Sequence, residues 1–163
     1  MKKQLVVEKR IELVLLDIRS TYNVGAMFRT ADAIGISKIY LVGITPAPID
    51  KFGRARNDIA KSALGSEKTV SWESVSNITP LIIKLKKQGF QVIAVEQSKN
   101  SVDYKKITTK EKVVVILGNE VGGVPEKVLK KCDIVAEIPM RGKKESLNVS
   151  VSCGIALFGM FDK

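Results

Sequence analysis

The chain has 163 residues, 45% of them hydrophobic, and carries 27 lysines and arginines against 17 aspartates and glutamates, a formal charge of +10. That length suits one compact domain burying roughly 70% of its unfolded surface, while the positive surplus either attracts polyanions, nucleic acid first among them, or simply keeps the protein soluble. The histidine count is zero, which excludes Ser-His-Asp and Cys-His nucleophilic centres and the usual His-ligated metals, so no metal is expected.

Residues 1–10 are basic, but their apolar run of three residues is too short for a signal-peptide core. No stretch approaches the length of a membrane span, so no membrane partner is expected. A strand is expected over 11–18. Val24, Met27, Phe28, Ala31 and Ile34 then share one helix face, with Asn23 placed to cap it and Gly35 to stop it. Strands follow over 38–42 and 69–72. Between 75 and 88 a helix sets Ile78, Ile82 and Leu85 on one side and Lys84, Lys86 and Lys87 elsewhere, with Gly89 ending it.

Further strands are expected over 91–95, 113–117 and 134–138, because their continuous β-branched runs suit burial on both faces. A short helix opens near Val124-Pro125-Glu126, proline being tolerated in a first turn. The last helix opens around Ser146-Leu147-Asn148-Val149-Ser150 and takes Leu147, Val151, Ile155 and Phe158 as its apolar stripe. Cys132 and Cys153 fit no metal or redox spacing and read as free thiols in a reducing cytoplasm. No linker, repeat or low-complexity tract divides the chain. Alternating strands and helices predict an α/β domain with a mostly parallel sheet, helices on both faces, and ligands beyond the carboxyl ends of the strands.

Three motifs stand at such strand ends. The first is Asn23-Val24-Gly25 followed by Arg29-Thr30-Ala31, where Arg29 is either a solvated helix arginine or a phosphate clamp. The second, Gly118-Asn119-Glu120-Val121-Gly122-Gly123, is either a plain tight turn or a cradle whose glycines admit a ligand close to the backbone. It is no Walker loop, since Val124-Pro125 follows Gly123, and the chain contains no G-x-G-x-x-G. The third runs from Ile138-Pro139-Met140-Arg141-Gly142 to Ser146-Leu147-Asn148-Val149-Ser150, where Ser146 or Asn148 would also serve as a helix cap.

The order and spacing of these motifs, from about residue 11 onward, resemble the SPOUT superfamily, specifically its TrmH (SpoU) branch of RNA ribose 2′-O-methyltransferases. The resemblance implies a single SPOUT domain over 1–163 without an added RNA-binding domain, and a C-terminal trefoil knot from about Val113 onward that forms the cofactor pocket. It implies S-adenosylmethionine held by main-chain groups around Leu117, Gly118, Ile138, Met140 and Leu147, with Val95-Glu96-Gln97 completing the wall. Arg29 is implied to act on the target 2′-hydroxyl together with an RNA phosphate. A guanidinium does not give up its proton, so clamping the phosphate and stabilising charge on the 2′ oxygen is the chemically sound form of that role.

By the same resemblance, Asn23 and Asn148 are amide groups near the transfer site, Glu120 orients Arg29, and Ser146 contacts RNA or the adjacent loop. The resemblance also implies a homodimer in which Arg29 serves its own or its partner's cofactor, and it likens residues 53–67 to the loop and helix carried after the second strand. Lys51, Arg54, Arg56 and Lys61, then Lys105 and Lys106, then Arg141, Lys143 and Lys144 form the basic clusters expected to meet RNA backbone. The expected substrate is tRNA, with rRNA as the alternative and a catalytically silent RNA-binding module as the second.

Overall fold

The computed structural model describes residues 8–162. The signal-peptide reading of residues 1–10 falls largely outside them. Among the described residues, seven parallel strands form one sheet: β1 (Arg10–Leu16), β2 (Lys38–Val42), β3 (Trp72–Val75), β4 (Gln91–Val95), β5 (Val102–Asp103), β6 (Lys112–Leu117) and β7 (Ile134–Glu137). Their order is β3-β2-β1-β6-β4-β7-β5, with every pairing parallel. Among the described residues, no helix is long and apolar enough to cross a membrane.

Both faces of the sheet are covered, which is why the central strands read as unbroken apolar runs. On one face Leu13, Leu15, Ile93, Val113 and Val115 pack against α1 (Thr21–Ile34), α2 (Asn57–Ala63) and α6 (Val149–Phe161). On the other, Val14, Leu16, Val92, Val114 and Ile116 meet α4 (Ile78–Lys87) and α5 (Glu126–Leu129). Phe28 of α1 is fully buried, and its truncation to alanine would cost about 3–5 kcal/mol in lost transfer energy and cavity formation. Gly25 lies where α1 crosses α2, and a Cβ there would overlap the backbone of Ile59.

Element boundaries move where a side chain or an unusual backbone angle decides them. β1 stops at Leu16 because Asp17 adopts φ 53. The cap of α1 is Ser20, whose hydroxyl accepts from the backbone N–H of Asn23 at 3.2 Å; Asn23 is thus inside the helix rather than at its cap. Gly35 ends α1 in the left-handed region, as its sequence position predicts. The strand expected over 69–72 lies three residues later, because Ser66–Thr69 (α3) forms a helical turn first and Trp72 is the residue in register with Ile39. α4 begins at Ile78, where the Asn77 side chain accepts from Thr79 N, while Val75 stays in the sheet opposite Val42.

The last helix presents a different face from the expected one. Its buried residues are Val149, Cys153, Ala156, Leu157 and Met160, whereas Val151 is 49% and Phe158 40% exposed. No charged residue occurs between 149 and 161, and Ser150 and Ser152 are the helix's polar side chains, both in its first turn, so beyond that turn periodicity has little to choose between. Contact with α1 makes the choice.

Candidate active site

β6, β4 and β7 are consecutive neighbours in the sheet, so their carboxyl ends deliver the segments after 117, 95 and 137 to one place. They enclose a cavity of about 670 Å³. All five residues expected to hold a cofactor, Leu117, Gly118, Ile138, Met140 and Leu147, line it, together with Glu120, Ser146, Asn148 and the wall residues Val95, Glu96 and Gln97.

The loop after β6 is tied on both sides. Asn119 Nδ2 donates to the Asp17 carbonyl at 2.7 Å, and its Oδ1 accepts from the backbone N–H groups of Val121 and Gly122 at 2.9 Å each. Glu96 reaches across from β4, its Oε2 accepting from Val124 N at 2.9 Å. Gly118 is obligatory because the loop folds back onto it: a Cβ there would overlap the backbone of Gly123 and Val124. Sequence reasoning missed the bracing roles of Asn119 and Glu96. An Asn just after a buried strand is a signal for an Asx-type turn, but the cross-strand reach of Glu96 leaves no local trace.

Within the protomer, Glu120, which the resemblance implies orients Arg29, is hydrogen-bonded to the start of α1. Its carboxylate accepts from the backbone N–H groups of Arg19 (3.0 Å) and Ser20 (3.0 Å) and from Asn23 Nδ2 (3.2 Å). The start of α1 exposes unpaired N–H groups and the positive end of the helix dipole, and a carboxylate is drawn to both. Desolvation by burial would raise the Glu120 carboxyl, but the hydrogen bonds from Arg19, Ser20 and Asn23 outweigh it and hold the group below its usual range.

Asn23 extends this arrangement inward. It is 5% exposed, gives its amide to Glu120, and accepts on Oδ1 from Asn148 Nδ2 at 3.3 Å. Asn148 Oδ1 in turn caps α6 by accepting from Ser150 N at 2.8 Å. The first, second and third motifs therefore meet through Asn23, Glu120 and Asn148. Ser146 lies on the cavity wall, next to the exposed loop that carries Arg141, Lys143 and Lys144.

Arg29 stands apart from them. It lies six residues beyond Asn23, about 9 Å further along the axis of α1 at 1.5 Å per residue, and lines a separate groove of about 430 Å³ with Tyr22, Thr30, Lys61, Leu64 and Phe158. Charge divides the two hollows. Glu96, Glu120 and Glu126 line the first, with no lysine or arginine among its described lining residues, whereas Arg29 and Lys61 line the second. Among the described residues no group of three or more His, Cys, Asp and Glu side chains could hold a metal ion.

The chain is 32% identical to the tRNA (guanosine(18)-2′-O)-methyltransferase of Aquifex aeolicus, over 94% of its own length and 71% of that protein's. It is 33% identical to the 23S rRNA (guanosine-2′-O-)-methyltransferase RlmB of Neisseria meningitidis, over 92% and 57%. The fold is similar to the crystal structure of the AdoMet-bound rRNA methyltransferase from Sinorhizobium meliloti, with a TM-score of 0.81 and 32% identity, over 94% of this chain and 56% of that one. The chain thus spans little more than half of two of these relatives. The SpoU rRNA Methylase family profile matches residues 10–158, and the chain belongs to that family.

Proposed function

We propose that this protein transfers the methyl group of S-adenosylmethionine to a ribose 2′-hydroxyl of RNA, tRNA in preference to rRNA, as a homodimer in a reducing cytoplasm. The observation that carries the reading is the first cavity: three glutamates and no cation among its lining residues, in a protein of charge +10. Such a hollow suits a ligand that is itself cationic, as a sulfonium is. Its volume falls within the ~300–1,000 Å³ usual for small-molecule sites. Leu117, Ile138 and Leu147 offer an apolar slot for a purine, and Gly118 lets main-chain groups reach its edge.

When bound, S-adenosylmethionine supplies a methyl group on a sulfonium that is already a good leaving group. What remains for the protein is alignment and the handling of one proton. Leu117, Gly118, Ile138, Met140 and Leu147 fix the donor, and the Asn23 and Asn148 amides, held by Glu120, meet the incoming ribose. Ser146 supports the adjoining loop. Arg29 forks onto the phosphate beside the target nucleotide and stabilises charge growing on the 2′ oxygen as its proton leaves to phosphate or water.

Arg29 faces the second groove, whose lining includes the exposed side chains of Tyr22, Leu64 and Phe158. A second copy seated there covers this apolar surface and lets Arg29 serve the partner's cavity. A C-terminal trefoil knot belongs to the same reading. Calorimetry with S-adenosylmethionine, followed by nucleoside mass spectrometry of tRNA and rRNA after incubation, tests the proposal. Absence of heat, or of any 2′-O-methylated nucleoside, would remove it. Mixing inactive Arg29→Ala with inactive Asn148→Ala protein should restore about a quarter of wild-type activity if the site is shared across a two-fold dimer, and no recovery would place Arg29 in its own protomer's reaction.

A further inference from the structure

The segment between β2 and α2 carries a feature that the transfer site does not use. Ile49 and Ala55 pair as an antiparallel bridge and close a tight finger with Phe52 near its tip. Asp50 holds the finger rigid: its Oδ1 accepts from Phe52 N at 2.8 Å and Arg54 N at 2.9 Å, and its Oδ2 accepts from Arg54 Nε at 2.9 Å. The backbone adds Asp50 N to Arg54 O and Gly53 N to Asp50 O. None of these bonds needs a phenyl ring, yet Phe52 is 69% exposed. Lys51 Nζ and Arg54 Cζ lie 5.1 and 5.0 Å from the centroid of its ring.

We propose that this finger is an RNA-reading element in which Phe52 stacks one unpaired base while Lys51 and Arg54 meet the neighbouring phosphates. The inference rests on the RNA-methyltransferase reading and adds a substrate-contacting residue outside the transfer site. A nucleotide presents a flat π-face with an anion a few ångströms away, and the finger presents the complement, a ring with cations beside it. Bases inside an A-form duplex have no free face, so the finger selects a loop, bulge or single strand. Phe52 and Arg54 are residue types that protein interfaces also favour, and Lys51 beside the ring is what separates the finger from such an interface, whose centre is depleted of lysine. The finger also sits at the correct end of the molecule. It leaves β2 at its carboxyl end, where Thr45 Oγ1 donates to the Leu15 carbonyl at 2.8 Å and accepts from Ile18 N at 3.0 Å, on the same edge of the sheet as the cavity.

The test uses the full protein with a labelled single-stranded RNA of about 12 nucleotides, a length in the range of single-strand site sizes, and with the duplex of the same sequence. Phe52→Ala should weaken single-strand binding about tenfold or more, the loss expected for one base–aromatic stack. Duplex binding and calorimetric uptake of S-adenosylmethionine should be unchanged. Phe52→Trp should restore affinity, and its indole emission, measured against the Trp72 background, should be quenched by the single strand but not by the duplex. Equal affinity of Phe52→Ala and wild type, absence of quenching, or a changed oligomeric state in Phe52→Ala would overturn the finger's role. The methyltransferase reading fails separately, through a wild-type protein that takes up no methyl donor or modifies no ribose.

Discussion

Glu120→Gln separates the structural account of this carboxylate from the role suggested by family resemblance. In the wild type both oxygens accept, from Arg19 N, Ser20 N and Asn23 Nδ2, at 3.0–3.2 Å. Glutamine offers one acceptor oxygen and one NH2. Whichever way its amide is turned, a donor faces a backbone N–H at the start of α1. Each hydrogen bond to a charged group contributes about 1.5–3 kcal/mol where water is excluded. Glu120 stands at the surface, where solvent screening and replacement by water reduce this, so a net loss of about 1–2 kcal/mol is expected. For a chain of this length that corresponds to a fall in Tm of about 3–6 °C.

The consequence for activity runs through Asn23. Without the carboxylate its amide is no longer fixed, Oδ1 is no longer presented to Asn148, and turnover should drop about 100-fold, the usual effect of losing one preorganised polar group. The pH dependence carries a sign. The folded Glu120 carboxyl lies below its ordinary value of 4.5, so its stabilising contribution is complete above that value and is lost as pH falls through the lower, folded one. Thermal melts should therefore separate wild type and Glu120→Gln at neutral pH and converge in strong acid. Identical melting temperatures at neutral pH, with unchanged methyl transfer, would refute the reasoning.

Gly118→Ala forces the 118–123 loop away from β6, because the new Cβ has only backbone to meet; calorimetry should show S-adenosylmethionine affinity reduced about 5- to 150-fold, the equivalent of an overpacking cost of about 1–3 kcal/mol. Phe158→Glu places a charge on the exposed side of α6, and sedimentation velocity should show a monomer whose circular dichroism is unchanged. Burial pushes the Cys132 thiol up to about 11 and the Cys153 thiol up to about 12. Since the thiolate is the reactive form, a colorimetric thiol reagent at mildly alkaline pH should label both only after denaturant is added.

The sheet was legible because burial on two faces writes an uninterrupted apolar run, and the residues in 91–95 and 113–117 could serve no other purpose. What sequence could not reveal was decided by single hydrogen bonds or by a neighbour far along the chain. Ser20 and Asn23 are both good caps, and only the geometry of the α1 entrance shows that the serine caps and the asparagine turns inward. Asn77 displaces the start of α4 in the same way. The outward side of α6 was hidden by the absence of any charged residue to mark it. The five residues expected around a cofactor are implied by the family resemblance alone, and β6, β4 and β7 are adjacent in the sheet although separated in the chain; that adjacency is a property of topology and no local pattern contains it.

The separation of charge gives the arrangement its logic. A methyl donor and its acceptor make opposite electrostatic demands, since one carries a sulfonium and the other a row of phosphates. A single hollow lined by both signs would neutralise itself. Here the glutamates gather in the cavity at the ends of β6, β4 and β7, while Arg29 and Lys61 lie across α1 and Lys51 and Arg54 extend beyond β2. Asn23 is bonded to two residues of the acidic cavity's wall, Glu120 and Asn148, and α1 runs on from it to Arg29. A neutral amide suits the proposed transfer site, because it can fix a hydroxyl without favouring either charge, and α1 holds Asn23 in its first turn and Arg29 in its third, a rigid spacer of about 9 Å between the two proposed contacts.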